Sequence, residues 1–463
     1  MHSLQTLRRK LPSWGAHPDS SLSRSRGSCR TMATLQAREA DTDVAQPPGT
    51  SMVLRSLAAY PDARCTDGSP AGYYWSRGQR ASSGARSSDW IVLLEPGGWC
   101  WDAPSCARRC NATATAYLCT SRNWPAVRHL GHAGKEGGHH RTPRLGSVGG
   151  ILHSNEPRLA NANKVLVPYC TSDAHMGDAT AFGLEFRGAA VVRAVLSELV
   201  VTHGLGGRGL TGPRDSLLFG GMSAGARGAM VHLDYVRESL PLPEEVRQRV
   251  EVRGYLDSVM WLDMQPLTTN GTWRGASFEP TWYGFANSTR QVFSFANVTH
   301  LGDQGAARWD GAERWRCLFG EYRLPLIRTP YMAIGSQFDS VQLAYDIGYI
   351  GRSRHSPATP EEMTFAWQVA NETADFARSL AVGQRFIYSS RCHNHAVSLD
   401  TPGFVAPGCG GVSLQAALLR FLDAAAPYGS STPRLELPQL ALEQQCNDFD
   451  CCCGGRQSGE QAL

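Results

Sequence analysis

The sequence lacks an apolar run long enough to cross a membrane as a helix. Such a helix needs about 18 or more consecutive apolar residues, and the longest apolar stretches here, such as Trp90–Leu94, have the length of a strand. A large excess of one charge is also missing, because the net charge is only +4 and no stripe of lysine and arginine concentrates it. We therefore expect neither a transmembrane segment nor a nucleic-acid partner.

Metal-binding cysteine pairs are absent as well. No CxxC pair is followed by a second one, so a zinc ribbon is not expected. Only 19% of the residues are charged and 42% are apolar, which excludes a wholly disordered chain and allows a folded core. At about 150 residues per domain, the 463 residues suggest about three domains. However, hydrolase-type α/β folds often use about 300 residues or more as one domain.

Residues 1–50 lack the continuous apolar segment that a signal peptide needs. They are rich in serine and arginine, and no acidic residue precedes Asp19. We interpret residues 1–51 as a disordered or targeting segment. Three explanations stay open: a misassigned or incomplete start, which we favour, an organelle-type transit peptide, or a plain disordered tail.

The sequence does contain a dispersed, even set of 14 cysteines. Such a set is typical of disulfides formed in an oxidising compartment. N-x-[S/T] glycosylation sequons indicate the same route, and they begin at Asn111, Asn270, Asn287, Asn297 and Asn371. Together these features predict a protein of the secretory route.

Short apolar runs alternate with helical patterns along the body of the chain. Val192, Val195, Leu196 and Leu199 fall at i, i+3, i+4 and i+7, the spacing of an amphipathic helix. The strand candidates are Trp90–Leu94, Val165–Val167, Ser216–Phe219, Tyr331–Gly335 and Arg385–Tyr388. This alternation predicts an α/β fold with a mostly parallel sheet covered by helices on both faces.

One segment matches the pattern of a nucleophile elbow, G-x-S-x-G. It is Gly221-Met222-Ser223-Ala224-Gly225, with a strand candidate before it and a helix candidate after it. An elbow holds the serine on a tight strand-to-helix turn, where glycines avoid steric clashes. The motif alone is also compatible with an ordinary glycine-rich turn.

A serine nucleophile needs a base and an orienting carboxylate, in the chain order Ser, Asp or Glu, His. Catalytic groups lie beyond the carboxyl ends of parallel strands. Asp339 follows one strand candidate and His395 follows another, in that order. Asp339 also suits a helix N-cap, and spacing alone does not separate His395 from His393.

Acyl transfer also needs two backbone N–H groups directed at the developing oxyanion. The residue after the nucleophile, Ala224, would supply one. The segment Pro96-Gly97-Gly98-Trp99 follows an early strand candidate and would supply the other. A plain turn is the alternative for that segment.

Other features favour ordinary explanations. We expect a mobile loop rather than a metal site where histidines occur in a glycine-rich stretch without regular ligand spacing; these are His129, His132, His139 and His140. Cys451–Cys453 suggest a flexible tail with extra disulfides, because the C-terminus carries no prenylation signal. The tryptophans of Trp99–Trp101 could stack on sugars, line an acyl pocket or pack in the core.

Taken together, many short motifs in one order carry a resemblance to a known family over about residues 52–425. They are Cys65-Thr66-Asp67-Gly68-Ser69-Pro70, Leu94-Glu95-Pro96-Gly97-Gly98-Trp99-Cys100-Trp101, Gly150-Ile151-Leu152 with Asn155, Tyr169-Cys170, Phe186-Arg187-Gly188, the elbow, Phe338-Asp339, and Cys392 with His395. The chain resembles the pectin acetylesterase/Notum family of secreted carboxylesterases.

The resemblance implies an α/β-hydrolase-like fold and assigns the site. It implies the nucleophile Ser223, the acid Asp339, the base His395 and the oxyanion donors Gly98, Trp99 and Ala224. It favours His395 over His393, because the family places its histidine three residues after the matched cysteine. Pro96, Met222 and Ala226 depart from the family pattern, which puts the substrate in doubt more than the chemistry.

We therefore expect a serine carboxylesterase that needs no cofactor and no metal. The favoured substrate is an acetyl ester on pectin-like polysaccharide. Removal of a fatty-acyl ester from a protein is the alternative, and a catalytically silent extracellular binding protein on the same scaffold is the other. We expect a monomer with an esterase domain at 52–430 and a flexible, cysteine-rich tail at 431–463.

Overall fold

The computed structural model describes residues 50–79, 87–131, 147–207, 214–267, 282, 284–349, 356–407, 411–424, 440–442 and 449. The chain divides between Ala45 and Gln46 into two units, and every described residue belongs to the second. Most of the predicted N-terminal segment and of the tail lies outside the described residues, as do His132, His139 and His140. The domain boundaries at 51/52 and 430/431 stay predictions.

The strands are short and largely buried. They are β1 (Ser51–Ser56), β2 (Gly72–Ser76), β3 (Asp89–Leu94), β4 (Val127–Leu130), β5 (Ser147–Val148), β6 (Asn163–Val167), β7 (Ala179–Ala181), β8 (Leu184–Phe186), β9 (Asp215–Met222), β10 (Val250–Asp257), β11 (Tyr331–Ser336), β12 (Arg385–Ser390) and β13 (Leu440–Leu442). All five strand candidates from the sequence lie within observed strands. Strands β3, β6, β11 and β12 are one or two residues longer than predicted, and β9 is four residues longer.

The described α-helices lie in the segments that connect these strands. They are α1 (Ala103–Asn111), α2 (Pro157–Ala160), α3 (Gly188–Val201), α4 (Ala224–Ser239), α5 (Glu244–Arg247), α6 (Phe285–Ala296), α7 (Asp303–Arg308), α8 (Gly320–Arg323), α9 (Ser340–Ile347), α10 (Pro360–Leu380), α11 (Thr401–Val405) and α12 (Leu414–Ala424). Short 3₁₀ segments occur at Ala116–Leu118, Gly150–His153, Gly311–Leu318 and Leu324–Leu326.

Eleven of the described strands form one sheet in the order β13-β12-β11-β10-β9-β3-β6-β2-β1-β4-β5. The pairs from β13 to β6 are all parallel. The pairs β6–β2, β2–β1 and β1–β4 are antiparallel. The predicted fold class, a mostly parallel sheet flanked by helices, is confirmed, with an antiparallel region at one side.

Strand β3 shows why this sheet is buried on both faces. Its Trp90, Val92 and Leu94 belong to one hydrophobic core, whereas Ile91 and Leu93 belong to another. Because successive side chains of a strand point to opposite faces, a strand with both faces covered is apolar throughout. The continuous apolar run in the sequence follows directly from this position.

The parallel arrangement brings the functional segments to one edge. Strands β3, β9, β10, β11 and β12 run in the same direction, so the residues that follow them meet at their carboxyl ends. The segments after β3, β9, β11 and β12 carry the oxyanion, nucleophile, acid and base candidates. The segment after β10 meets them there and was not predicted to take part.

Candidate active site

Ser223 sits on a strained turn between β9 and α4. Its φ is 53° and its ψ is −118°, a conformation that non-glycine residues rarely adopt and that costs on the order of 1–3 kcal/mol. The neighbouring glycines are required by space. A Cβ on Gly221 would lie 2.4 Å from the carbonyl carbon of Gly225, and a Cβ on Gly225 would lie 2.0 Å from the carbonyl oxygen of Leu94. The strand–turn–helix context predicted for the elbow is present.

Asp339 and His395 form a short hydrogen bond, with 2.7 Å between Oδ2 and Nδ1. Asp339 is also the N-cap of α9, since its Oδ1 accepts from the backbone N–H groups of Val341 at 3.0 Å and Gln342 at 2.9 Å. The capping explanation and the site explanation therefore hold together. The carboxylate can only accept, so the imidazole carries its proton on Nδ1 and presents a bare Nε2.

His395 is prepared to accept a proton at that second nitrogen. Nε2 is buried and has no hydrogen-bond partner among the described residues. Burial lowers the pKa of His395, but the carboxylates of Asp339 and Asp257 raise it by more, so the net shift is upward. Its neighbour His393 has its ring 5.1 Å from that of Phe449. The structure thus brings His395 to Asp339.

The three candidate oxyanion donors lie in two segments beside the elbow. The N–H groups of Gly98, Trp99 and Ala224 donate to no acceptor among the described residues. Ala224 is fully buried and Trp99 is 7% exposed. Buried N–H groups are nearly always paired, so the unpaired donors of the buried residues Trp99 and Ala224 indicate a site kept for a ligand oxygen.

Arg109 of α1 fixes the backbone of this oxyanion segment, and sequence reasoning missed it. Its guanidinium donates to the carbonyl oxygens of Gly97 and, at 3.4 Å, Gly98, while its Nε donates to the hydroxyl of Ser172 at 2.9 Å. Holding these carbonyls on the arginine directs the segment's N–H groups elsewhere. Gly98 has φ 65°, and a Cβ on Gly97 would lie 2.6 Å from the Tyr169 ring.

Disulfides tie down the same region. They join Cys65 to Cys170, Cys100 to Cys106 and Cys110 to Cys119. Cys392 is also disulfide-bonded. The dispersed cysteines were expected to form disulfides, and for these seven that is confirmed. Cys317 is the exception, because it is free and buried. Cys29, Cys409, Cys446 and Cys451–Cys453 lie outside the described residues.

Aromatic rings form a wall beside the histidine. The Trp261 ring lies parallel to that of His395, with 6.2 Å between centroids and 9° between planes. Its ring centroid also lies 5.3 Å from that of Trp99 and 5.1 Å from that of Phe285. The fully buried guanidinium of Arg227 lies over the Trp99 ring at 4.3 Å. Sequence reasoning missed Trp261, because the strand that precedes it, β10, is not among the strand candidates of the sequence.

A metal-ligand cluster and a membrane-spanning helix are both absent from the described part of the chain. No group of three or more His, Cys, Asp or Glu side chains there could hold a metal ion. No helix among the described residues combines the length and apolarity needed to cross a membrane. His129 is exposed on β4, and the other histidines of that predicted loop lie outside the described residues.

These features define the class of α/β-hydrolase-like proteins with a serine site. They are a strained serine between a parallel strand and a helix, an aspartate–histidine pair in the segments after β11 and β12, and unpaired N–H groups. Residues 46–364 match the Pectinacetylesterase family. The chain belongs to that family, as its sequence motifs indicate.

Curated relatives and solved structures extend this result. Palmitoleoyl-protein carboxylesterase NOTUM of Drosophila melanogaster is 30% identical over 74% of this chain and 44% of its own length. The human NOTUM is 30% identical over 61% of this chain and 50% of its own. Pectin acetylesterase 11 of Arabidopsis thaliana is 26% identical over 61% and 60%. The chain thus spans about half the length of the curated relatives it matches.

A solved structure of the Wnt deacylase Notum from Drosophila superposes with a TM-score of 0.66 and 27% identity. The match covers 87% of this chain and 98% of that one. A second crystal form gives a TM-score of 0.64 with 28% identity. The α/β-hydrolase-like fold implied by the sequence resemblance is therefore confirmed.

Proposed function

We propose that this protein is a serine carboxylesterase. The hydrogen bond of 2.7 Å between Asp339 Oδ2 and His395 Nδ1 carries the proposal, because it leaves a bare, buried Nε2 for the proton of a nucleophile. Ser223 is that nucleophile, held at positive φ at the carboxyl end of β9. Asp339 orients the imidazole and stabilises its charged form.

The reaction proceeds by acyl transfer. His395 Nε2 takes the Ser223 proton as Oγ attacks the ester carbonyl carbon, and the carbonyl oxygen becomes an oxyanion. The imidazolium returns that proton to the leaving alcohol, which leaves an acyl-serine. A water molecule then attacks the carbonyl carbon of the acyl-serine while His395 takes its proton. The proton passes to Ser223 Oγ, and the carboxylic acid is released.

The oxyanion is stabilised by the N–H groups of Gly98, Trp99 and Ala224. Donors fixed in advance need no rearrangement as the charge develops, and the loss of one costs about 2.7–4 kcal/mol in the transition state. Their lack of acceptors among the described residues supports this role.

For the substrate we propose a short acyl ester, in particular acetyl groups on a pectin-like polysaccharide. Trp99, Trp261 and Phe285 are only 7%, 2% and 3% exposed. Their rings pack against one another and leave little free surface beside the histidine for a long acyl chain. A match to the Pectinacetylesterase family agrees with this substrate class.

Removal of a fatty-acyl group from a protein is the second candidate. Relatives with 30% identity carry the name palmitoleoyl-protein carboxylesterase, and the ring wall is apolar, as a fatty chain would require. We also propose an extracellular location for either activity, since the disulfides around the site form in oxidising compartments.

The test compares p-nitrophenyl acetate with p-nitrophenyl octanoate for the wild-type protein and Ser223→Ala. We expect turnover that prefers acetate and falls on the order of 10³-fold or more in Ser223→Ala. Ser294→Ala, on the exposed side of α6, is the matched control and should keep wild-type turnover. Preference for octanoate would favour the fatty-acyl substrate.

Activity that survives in Ser223→Ala would contradict the proposed nucleophile. A folded protein without activity on either ester would instead favour the silent binding protein. Acetate release from acetylated pectin, measured on the same preparations, then tests the polysaccharide directly.

A further inference from the structure

A second buried carboxylate lies behind the site and takes no part in the mechanism above. Asp257 is the last residue of β10 and pairs in register with Met222, the residue before the nucleophile. It is 1% exposed, and no Lys, Arg or His among the described residues forms an ion pair with it. An unpaired carboxylate in a protein interior is costly unless it is fully hydrogen-bonded.

Three hydrogen bonds from two serines reach this carboxylate. Oδ2 accepts from the N–H of Ser398 at 2.9 Å and from its hydroxyl at 2.5 Å. Oδ1 accepts from the hydroxyl of Ser258 at 3.0 Å. The hydrogen bonds from Ser398 and Ser258 favour the ionised carboxylate and lower the pKa of Asp257, whereas burial raises it by more, so the net shift is upward.

These bonds end on the segment that carries the catalytic base. Ser398 lies three residues after His395, and the Ser258 hydroxyl also accepts from the N–H of Ala396 at 2.8 Å. Both Ala396 and Ser258 have positive φ, 58° and 63°. Such conformations in non-glycine residues persist only where surrounding contacts hold them, and here the Asp257 network supplies those contacts.

The same residue also contacts the nucleophile turn. The carbonyl oxygen of Asp257 accepts from the N–H of Ser223 at 2.8 Å. One residue at the end of β10 therefore fixes the serine through its main chain and the histidine segment through its side chain.

We propose that Asp257 is a positioning residue that keeps the imidazole of His395 aligned with the hydroxyl of Ser223 for proton transfer. The inference rests on the proposed esterase function. Asp257 acts through Ser258 and Ser398 and does not touch the substrate. Two carboxylates act on the His395 imidazole: that of Asp257 from the end of β10 and that of Asp339 from the start of α9. The third titratable group in this network is Tyr255, whose hydroxyl oxygen lies 2.8 Å from the hydroxyl oxygen of Ser398.

The first test is Asp257→Asn, which keeps the shape and removes the charge. We expect kcat on p-nitrophenyl acetate to fall about tenfold or more, with KM changed less than about twofold. The Asp257 charge raises the pKa of His395, so the acid limb of the pH profile of kcat/KM should move to lower pH. Asp234→Asn is the control, because Asp234 is a buried carboxylate that accepts the N–H of Thr329 at 2.9 Å.

We expect Asp234→Asn to lower the melting temperature and to leave the acid limb where it is. An Asp257→Asn enzyme with wild-type kcat and an unmoved acid limb would overturn the proposal. If Asp257→Asn fails to fold, Ser398→Ala takes its place. Ser398→Ala loses one bond to the histidine segment and keeps the Asp257 charge, so kcat should fall while the acid limb stays.

A measurement without turnover separates this proposal from the esterase function. In a Ser223→Ala background, the imidazole of His395 is titrated by NMR with and without Asp257→Asn. A lower midpoint in the double variant supports the proposal, and an equal midpoint overturns it. Esterase turnover at the wild-type level in Ser223→Ala would contradict the proposed function and leave the NMR result intact.

Discussion

Asp339 uses its two carboxylate oxygens for two different tasks. Oδ1 caps α9 and Oδ2 holds His395. In Asp339→Asn one oxygen remains for the cap, and Asn is as good an N-cap as Asp. The other atom becomes an amide nitrogen that cannot accept from Nδ1–H, so the imidazole takes the wrong tautomer. We expect kcat to fall on the order of 10³–10⁴-fold with little change in melting temperature.

Asp339→Ala separates the two tasks. It removes the cap as well, which typically costs about 1 kcal/mol, so its melting temperature should fall below that of Asp339→Asn at similar loss of kcat. Aryl-ester kinetics and thermal melts on both variants check this. More than a tenth of wild-type kcat in Asp339→Asn would show that the carboxylate is not needed.

Arg109 allows a separate test of the oxyanion segment. Its planar guanidinium donates to the carbonyl oxygens of Gly97 and Gly98 together, a geometry that a lysine ammonium does not reproduce. In Arg109→Lys we expect kcat to fall about 10- to 100-fold with KM nearly unchanged, since the donors act mainly on the transition state. Arg108→Lys, in the same helix, is the control, and equal losses in both variants would contradict the role of Arg109.

The residues that sequence reasoning identified share one property. Ser223, Asp339 and His395 each follow a strand in the chain order of the fold, so position and residue type nominate the serine and the aspartate. The choice of His395 over His393 needed the family resemblance. Arg109 binds main-chain carbonyls 11 and 12 residues before it, and Asp257 binds the N–H of Ser398, 141 residues after it. No local pattern encodes such a contact, and only the folded chain brings its partners together.

At the scale of elements, the packing of α4 on β3 depends on Gly225. Its Cα lies so close to the carbonyl oxygen of Leu94 that an added Cβ would be 2.0 Å away. In Gly225→Ala the helix must move off the strand, and we expect a loss of at least about 1–3 kcal/mol of stability. Gly131→Ala is the control, because nothing lies within 4 Å of its Cβ position.

Chemical denaturation of both variants measures this loss. A Gly225→Ala protein as stable as Gly131→Ala would show that helix and strand can separate freely, and the elbow would then not depend on this close approach. A parallel loss of turnover in Gly225→Ala is expected, since α4 begins at the residue that follows the nucleophile.

Strand β10 shows where prediction of the elements fell short. Its sequence contains Glu251 and Arg253, whose side chains form an ion pair at 3.0 Å. Such charges interrupt the apolar run that reveals a buried strand, so the segment was not recognised. The residues at its carboxyl end, Asp257 and Trp261, were missed for the same reason. The apolar strands β3, β6 and β9 were recognised without difficulty.

At the scale of the whole molecule, a chain of three histidines, two buried and one half-buried, makes stability depend on pH. His232 Nε2 lies 2.7 Å from the carbonyl oxygen of His175 and donates to it, so neutral His232 has a bare Nδ1. That atom lies 2.7 Å from Nδ1 of His300 and accepts from it. Burial lowers the pKa of His175 and of His300 to about 4 and that of His232 well below its usual value.

These histidines stabilise the fold only while they are neutral. An unfolded histidine titrates near 6.5, so each contribution is complete above about pH 6.5 and is lost as the pH falls toward 4. Buried carboxyls with raised pKa, such as Asp173 at about 6, act in the opposite direction. The melting temperature of the wild-type protein alone therefore mixes both effects.

The variant His300→Gln isolates the histidine contribution, because a glutamine amide still donates to His232 and does not titrate. At pH 8 we expect the variant to melt below the wild type, since it loses the ring stacked on Tyr235 at 3.6 Å. Between pH 6.5 and 4 the wild type loses the extra contribution of His300, so the gap between the two melting temperatures should narrow. Thermal melts at half-unit steps from pH 8 to 4 measure it, and a gap that stays constant or widens would show that His300 is not held neutral in the fold.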